Sequence, residues 1–220
     1  MPSNQSYIVS FLPGSSGRFI TSILWRMLTG GPAFTFTDEN AAHTLSPWGT
    51  TFTTTDGSFD CNSKKIYEII EFKEGLGLVH THTYPDFNIV RSGPNLENTK
   101  LIIITVSQDD HQEVAHNWVK KNTDLHERWQ SRLLKGLIYF KDNYVPAVDP
   151  MQMHNFCNSN VPEDLTSRVL SFNYSDIYKE IDGSYVALEK LKEFVSKDAN
   201  ESVVENYHEY VNNRNKLWNK

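Results

Sequence analysis

Residues 7 to 24 read YIVSFLPGSSGRFITSIL, a short apolar strand that runs through a Pro, Gly and Ser turn into an amphipathic helix. The first peptide N–H groups of a helix have no intrahelical partner, and the helix dipole favours an anion beside them. The segment therefore predicts a phosphate pocket at the start of this helix. Its lining would be Gly14, Ser15, Ser16, Gly17, Arg18 and Phe19.

Two features of this turn suit anion binding. Gly14 and Gly17 allow the main chain to turn tightly and approach a ligand, and Arg18 offers a charge-assisted contact. The turn departs from the standard ATPase loop, because only two residues separate the glycines and Arg-Phe follows them where Lys-Ser or Lys-Thr is expected. A shorter loop suits fewer phosphates. The alternative is an ordinary strand-to-helix turn with Ser15 or Ser16 as the N-cap.

A second segment, residues 77 to 85, reads GLVHTHTYP. His80 and His82 alternate along the predicted strand and therefore share one side near its carboxyl end. Neutral imidazole is a suitable general base, so one of these histidines could accept a proton from an acceptor hydroxyl. Two alternatives stay open: hydrogen-bonded strand-end histidines, and a metal site completed by Asp109, Asp110 and His111.

Strands alternate with helices along the chain, which predicts a three-layer α/β fold with a largely parallel sheet. The run LIIITV is apolar on both faces, as a central parallel strand requires. Ligands of such sheets bind beyond the carboxyl ends of the strands, where the Gly-Ser turn would lie. The predicted strands are 7–12, 76–82, 100–106 and 168–173, and the predicted helices are 17–29, 64–72, 109–121, 124–142, 184–196 and 201–217.

The length of 220 residues fits one domain, residues 1–220, with irregular insertions at about 31–63 and 143–166. A net charge of −6 argues against nucleic acid as a partner, because phosphate-backbone binding needs clustered Lys and Arg. No basic leader followed by an apolar stretch and no membrane-spanning run is found, so a cytoplasmic protein without membrane contact is expected. Cys61 and Cys157 match no metal spacing and are expected to be reduced thiols.

These blocks resemble the sulfotransferases that use 3′-phosphoadenosine 5′-phosphosulfate, whose fold belongs to the P-loop nucleoside triphosphate hydrolase superfamily. Their phosphosulfate loop is similar to FLPGSSGRFI, with Pro13, Ser16 and Gly17 matched and with Arg18 as a substitute for the family's lysine. Their segment with the catalytic histidine is similar to HTHTYP, which makes His82 the catalytic base. The chain is a divergent member on this comparison.

The resemblance implies further site residues. Ser107 stands near the family's arginine and Asn117 near its serine, the pair that holds the 3′-phosphate, and Arg214 stands in a carboxy-terminal basic motif that closes over it. The implied donor is 3′-phosphoadenosine 5′-phosphosulfate, without a metal. The implied acceptor is a hydroxyl or amine of a small molecule or glycan.

Sulfuryl transfer is accordingly the leading hypothesis, with His82 as the base and Arg18 stabilising the leaving phosphate. One alternative is a nucleotide-dependent kinase or phosphatase with a degenerate phosphate loop. Another is a non-catalytic binding or structural descendant of the fold. A homo-oligomer is compatible with each of these hypotheses.

Overall fold

The computed structural model describes residues 6–12, 14–30, 44–45, 77–81, 84, 87, 99–110, 113–114, 155–158 and 160–218. Within them, five strands form one sheet in the order β2-β3-β1-β4-β5. Neighbouring strands are parallel except for the short antiparallel pair of β2 and β3. The predicted α/β fold with a largely parallel sheet is therefore confirmed. The strands are β1 Ser6–Phe11, β2 Thr44–Leu45, β3 Gly77–Thr81, β4 Thr99–Thr105 and β5 Val169–Asn173.

The sheet is centred on β1 and β4. Successive side chains of a strand point to opposite faces, and the four consecutive residues Leu101 to Ile104 are all fully buried. Both faces of β4 are thus covered, as its apolar run predicts. Phe11 of β1 pairs with Ile104, so these two strands end at the same level.

Helix α1, Gly17–Thr29, follows β1 and packs against β1 and β3. Its bounds are those predicted from the sequence. It ends at Gly30, whose left-handed backbone places its N–H on the carbonyl oxygen of Arg26, which is a common helix terminus. One apolar stripe faces the core, formed by Ile20, Ile23, Leu24 and Met27.

The chain after β5 forms a 3-10 turn, a hairpin and two helices. The turn is Tyr174–Ile177, the hairpin strands are β6 Glu180–Ile181 and β7 Ser184–Tyr185, and the helices are α2 Val186–Val195 and α3 Glu201–Trp218. The predicted helix 184–196 begins two residues late because Ser184 and Tyr185 pair with β6 instead. The predicted helix 201–217 is confirmed by α3.

Some predicted elements lie outside the described residues. These include the helices 64–72 and 124–142, whereas Glu113 and Val114 of the predicted helix 109–121 are described and helical. Of the insertion 31–63, Thr44 and Leu45 are described, and they form β2. In the part of the chain that is described, no helix has the length and apolar character needed to cross a bilayer.

Replacing Gly17 by Ala should destabilise the protein, although Ala ordinarily favours a helix. A Cβ built on Gly17 lies 1.9 Å from Cγ of Phe11, and Phe11 is itself in the core. Overpacking of this kind costs about 2 kcal/mol or more. Urea unfolding of Gly17→Ala and the wild type measures the loss.

A matched background identifies the cause. In Phe11→Ala the ring is gone, so adding Gly17→Ala should there cost nothing or stabilise α1. A Gly17→Ala protein as stable as the wild type, or an equal loss in both backgrounds, contradicts the contact.

Candidate functional site

The sheet has a topological switch point between β1 and β4. From β1 the chain continues to β2 and β3 on one side of the sheet, whereas from β4 it continues to β5 on the other. Ligands of open α/β sheets bind in the crevice beyond the carboxyl ends of strands that diverge in this way. The segments after these two strands are residues 12–17 and 106–110. We call residues 14–19 the junction.

The main chain of the junction alternates in handedness. Gly14 has φ 90° and Ser16 has φ 61°, whereas Ser15 between them is not among the residues of positive φ. Alternation of this kind turns successive N–H groups towards one concavity, which is a known anion-binding arrangement. The Ser15 amide is an exception, because its N–H donates to the carbonyl oxygen of Leu12 at 3.1 Å. The Ser15 hydroxyl donates to the same oxygen at 2.7 Å.

Helix α1 does not neutralise its own amino end. Ser16 stands at the N-cap position without a side-chain cap hydrogen bond, and the first turn contains no acidic residue. The first intrahelical bond is donated by the Ile20 amide to the Ser16 carbonyl. The amides of Gly17, Arg18 and Phe19 therefore precede the helical ladder, at the positive end of the dipole.

The residues of the junction also make packing contacts. Gly17 lies against Phe11, so its missing Cβ serves packing. The Phe19 ring stacks on Tyr210 with centroids 3.7 Å apart and meets Tyr207 edge-on at 4.9 Å. Because the Phe19 ring is used in packing, its main-chain N–H is the group that an anion would contact. Arg18 is partly buried in the first turn of α1.

Ser16 belongs to a cluster of hydroxyl groups that sequence reasoning missed. Its Oγ lies 2.5 Å from the Tyr178 hydroxyl and accepts from the Tyr210 hydroxyl at 2.9 Å. Tyr178 also hydrogen-bonds Tyr174, whose hydroxyl donates to Oε1 of Glu113 at 2.8 Å. We call Ser16, Tyr174, Tyr178 and Tyr210 the hydroxyl cluster. It joins the chain after β1, β4 and β5 to α3.

One donor order satisfies every hydroxyl of this cluster. Each hydroxyl has a single proton to donate. If Tyr210 donates to Ser16, Ser16 to Tyr178, Tyr178 to Tyr174 and Tyr174 to Glu113, then each proton has an acceptor and the row ends on a carboxylate. Such rows polarise one another in a low-dielectric interior. In this order the row of donors runs from α3 to the segment after β4.

Burial raises the pKa values of Tyr178, Tyr207 and Tyr210, so these phenols stay neutral above pH 10. It raises the pKa of Tyr178 far above its ordinary value of 10.0, and the neighbouring Tyr210 and Tyr174 add to this effect. The pKa values of Tyr207 and Tyr210 are also raised, chiefly by burial. At neutral pH these hydroxyls therefore act as hydrogen-bond donors and acceptors, and not as general bases.

The other predicted site residues are described in part. The Ser107 hydroxyl donates to Oδ2 of Asp110 at 2.6 Å and accepts from the Asp110 amide at 3.1 Å. Arg214 belongs to α3, one helical turn after Tyr210, and the backbone of His80 belongs to β3. His82, Asn117 and Pro13 lie outside the described residues. Their predicted roles stay predictions.

The metal alternative finds no support in the described part of the chain. Among those residues, no group of three or more His, Cys, Asp or Glu side chains is placed to hold an ion. Asp110 is engaged with Ser107, and His111 lies outside the described residues.

Comparison with known proteins yields a distant likeness. No family model matches the chain, and no curated protein matches it. Among solved structures, the chain is similar to a gluconokinase from Sinorhizobium meliloti 1021, with 13% sequence identity and a TM-score of 0.41 over 99% of each chain. Membership of the sulfotransferase family is not shown.

Stability should fall steeply above pH 10. The buried tyrosines have raised pKa values when folded, so between pH 10 and those values the unfolded chain loses protons that the folded chain keeps. Each such tyrosine lowers the free energy of unfolding by about 1.4 kcal/mol per pH unit, and below pH 10 it has no effect. Urea unfolding at pH 8, 10 and 11 measures the slope.

Tyr178→Phe isolates one phenol, because lysines and the remaining tyrosines titrate alike in both proteins. The variant should be less stable at pH 8, where the hydroxyl is bonded, and should lose stability less steeply above pH 10. Parallel curves for the two proteins contradict the assignment.

Proposed function

We propose that this chain is a nucleotide-dependent group-transfer enzyme that binds a terminal phosphate group at the junction, and that it transfers a phosphoryl group from a nucleoside triphosphate to an acceptor hydroxyl. The observation that carries the proposal is the amino end of α1, which has neither a side-chain cap nor an acidic residue. It lies at the switch point of a largely parallel sheet.

Phosphate suits this end of the helix for electrostatic reasons. The amides of Gly17, Arg18 and Phe19 and the helix dipole favour a negative group there. Gly14 and Ser16 have positive φ in the preceding main chain, an alternation that is typical of anion-binding concavities. Arg18 adds a fixed positive charge in the first turn, directly after Gly17, where the standard loop has its lysine. Because the loop is short, it would bind one phosphate group and not a whole triphosphate chain.

The segment after β4 favours a triphosphate over a donor with a 3′-phosphate. Ser107, the residue expected near the 3′-phosphate, donates a hydrogen bond to the carboxylate of Asp110, and that carboxylate would repel a phosphate bound beside Ser107. A nucleoside triphosphate arrives instead with Mg²⁺, which binds one or two protein carboxylates together with the phosphates. Among the described residues of this segment the carboxylates are those of Asp109, which is exposed, Asp110 and Glu113. Asp110 and Glu113 also accept hydrogen bonds from Ser107 and Tyr174.

Sulfuryl transfer is the second candidate. It is supported by the resemblance at Pro13, Ser16 and Gly17 and by the segment that contains His82. In that reaction the junction would hold the 5′-phosphosulfate of 3′-phosphoadenosine 5′-phosphosulfate, the acceptor oxygen would attack sulfur, and His82 would take the acceptor's proton. Adenosine 3′,5′-bisphosphate would leave, stabilised by the junction amides and Arg18. A small molecule or glycan would serve as acceptor in either reaction.

Isothermal calorimetry tests binding at the junction. The wild type should bind Mg–ATP, and Arg18→Ala should weaken binding about tenfold, because hydrogen bonds to charged groups contribute about 1.5–3 kcal/mol. Lys192→Ala is the control, since it removes one positive charge from a pair with Glu189 on α2, away from the junction and from α3, and should leave the affinity within about twofold.

A parallel titration with adenosine 3′,5′-bisphosphate separates the two candidates. Tighter binding of the bisphosphate than of Mg–ATP, with the same sensitivity to Arg18→Ala, favours sulfuryl transfer. The proposal fails if neither nucleotide binds at millimolar concentration, or if Lys192→Ala weakens binding as much as Arg18→Ala.

A further inference from the structure

We infer that the C-terminal helix α3 controls the shape of the junction, because the hydroxyl of Tyr210 holds Ser16 in its left-handed conformation. Docking of α3 and the conformation of the junction are then one coupled equilibrium. The inference rests on the proposed function only for its biological use, since the coupling itself needs no ligand.

Ser16 has an unusual backbone for its position. Its φ of 61° and ψ of 19° are left-handed, although a residue at the N-cap is normally extended. Asp182 and Ser196 also have positive φ, but they stand at a two-residue hairpin turn and at the end of α2, where left-handed residues are common. A residue with a Cβ is strained in this region, so contacts around Ser16 must maintain it.

The hydroxyl cluster supplies such contacts. Tyr178 and Tyr210 both reach Oγ of Ser16, at 2.5 and 2.9 Å. The direction of Cβ follows φ, so relaxation of Ser16 to a negative φ would move Oγ away from both phenols. Two largely enclosed hydroxyls would then lose a partner, and that loss opposes the relaxation.

Tyr210 connects this contact to α3 as a whole. Its ring stacks on Phe19 in the first turn of α1, and Arg26 in the last turn donates to the Ser202 hydroxyl at 3.2 Å. Helix α3 therefore spans α1 from end to end, and Tyr210 is its contact with the junction. When α3 detaches, Ser16 loses the Tyr210 hydroxyl and Phe19 loses its stacking partner.

The coupling between nucleotide binding and α3 docking is reciprocal. A nucleotide that binds the ordered junction would favour docked α3, and docked α3 would favour nucleotide binding by the same factor. Helix α3 is in this respect an effector element built into the chain. A partner that captured α3 would weaken nucleotide binding at the junction.

Hydrogen–deuterium exchange of the ligand-free full chain tests the coupling. Tyr210→Phe keeps the stacked ring and removes the hydroxyl, so α3 should stay folded while the hydrogen-bonded amides at the junction, those of Ser15 and Ile20, exchange about three- to tenfold faster. Tyr207→Phe is the matched control: it removes a hydroxyl of the same helix that donates to the Ile177 carbonyl, and it should leave the exchange of the junction unchanged.

Ser16→Gly supplies a rescue, because glycine adopts positive φ without strain. In the Ser16→Gly background, Tyr210→Phe should no longer accelerate exchange at the junction. The inference is overturned if Tyr210→Phe leaves the junction as protected as in the wild type, if Tyr207→Phe accelerates it equally, or if Tyr210→Phe has its full effect on the glycine variant.

The exchange experiment and the nucleotide titration can fail independently of each other. A chain that binds no nucleotide and yet shows the hydroxyl effect with its rescue retains the coupling and loses the proposed function. A chain that binds Mg–ATP through Arg18 without the hydroxyl effect retains the function and loses the coupling.

Discussion

The close contact between Gly17 and the ring of Phe11 is the constraint on which the site depends. Phe11 ends the central strand β1 and is buried, and the ring fills the space where a side chain at position 17 would lie. Helix α1 can therefore start directly above the carboxyl end of β1, with its first amides at the switch point of the sheet. A larger residue at position 17 would push the helix end away from the strand, and the junction amides would move with it.

The hydroxyl cluster determines the conformation of Ser16, which the contact between Phe11 and Gly17 does not determine. Packing of Phe11 against Gly17 sets the distance between strand and helix, whereas the conformation of Ser16 depends on groups that arrive from elsewhere. Tyr178 follows the turn after β5 and Tyr210 belongs to α3, so the shape of the junction is set only after β5 and α3 have joined the fold. The local sequence thus determines where α1 starts, and long-range contacts determine the conformation of Ser16.

This division explains what the sequence could predict. The bounds of α1 and the centrality of β4 follow from short patterns, the GSSG turn before an amphipathic stripe and the apolar run LIIITV, and the structure agrees with both. The late start of α2 had a local signal, because Asp182-Gly183 is a typical two-residue hairpin turn, but helical periodicity outweighed it. The Ser15 amide was expected to face an anion, and a local turn to Leu12 takes it instead.

The hydroxyl cluster had no such signal. Its members lie at positions 16, 174, 178 and 210, and nothing in the local pattern distinguishes these tyrosines from core aromatics. Phenylalanine would bury nearly the same apolar surface, so the core alone does not account for two phenols on one serine and a third on Glu113. Burying a hydroxyl is costly unless it is bonded, and the observed arrangement provides a partner for each one, ending at Glu113. Polar groups satisfied in a single geometry disfavour alternative packings that an apolar core would tolerate. We therefore attribute to the phenols the precision of the junction more than the stability of the fold, which the buried strands and helices already provide.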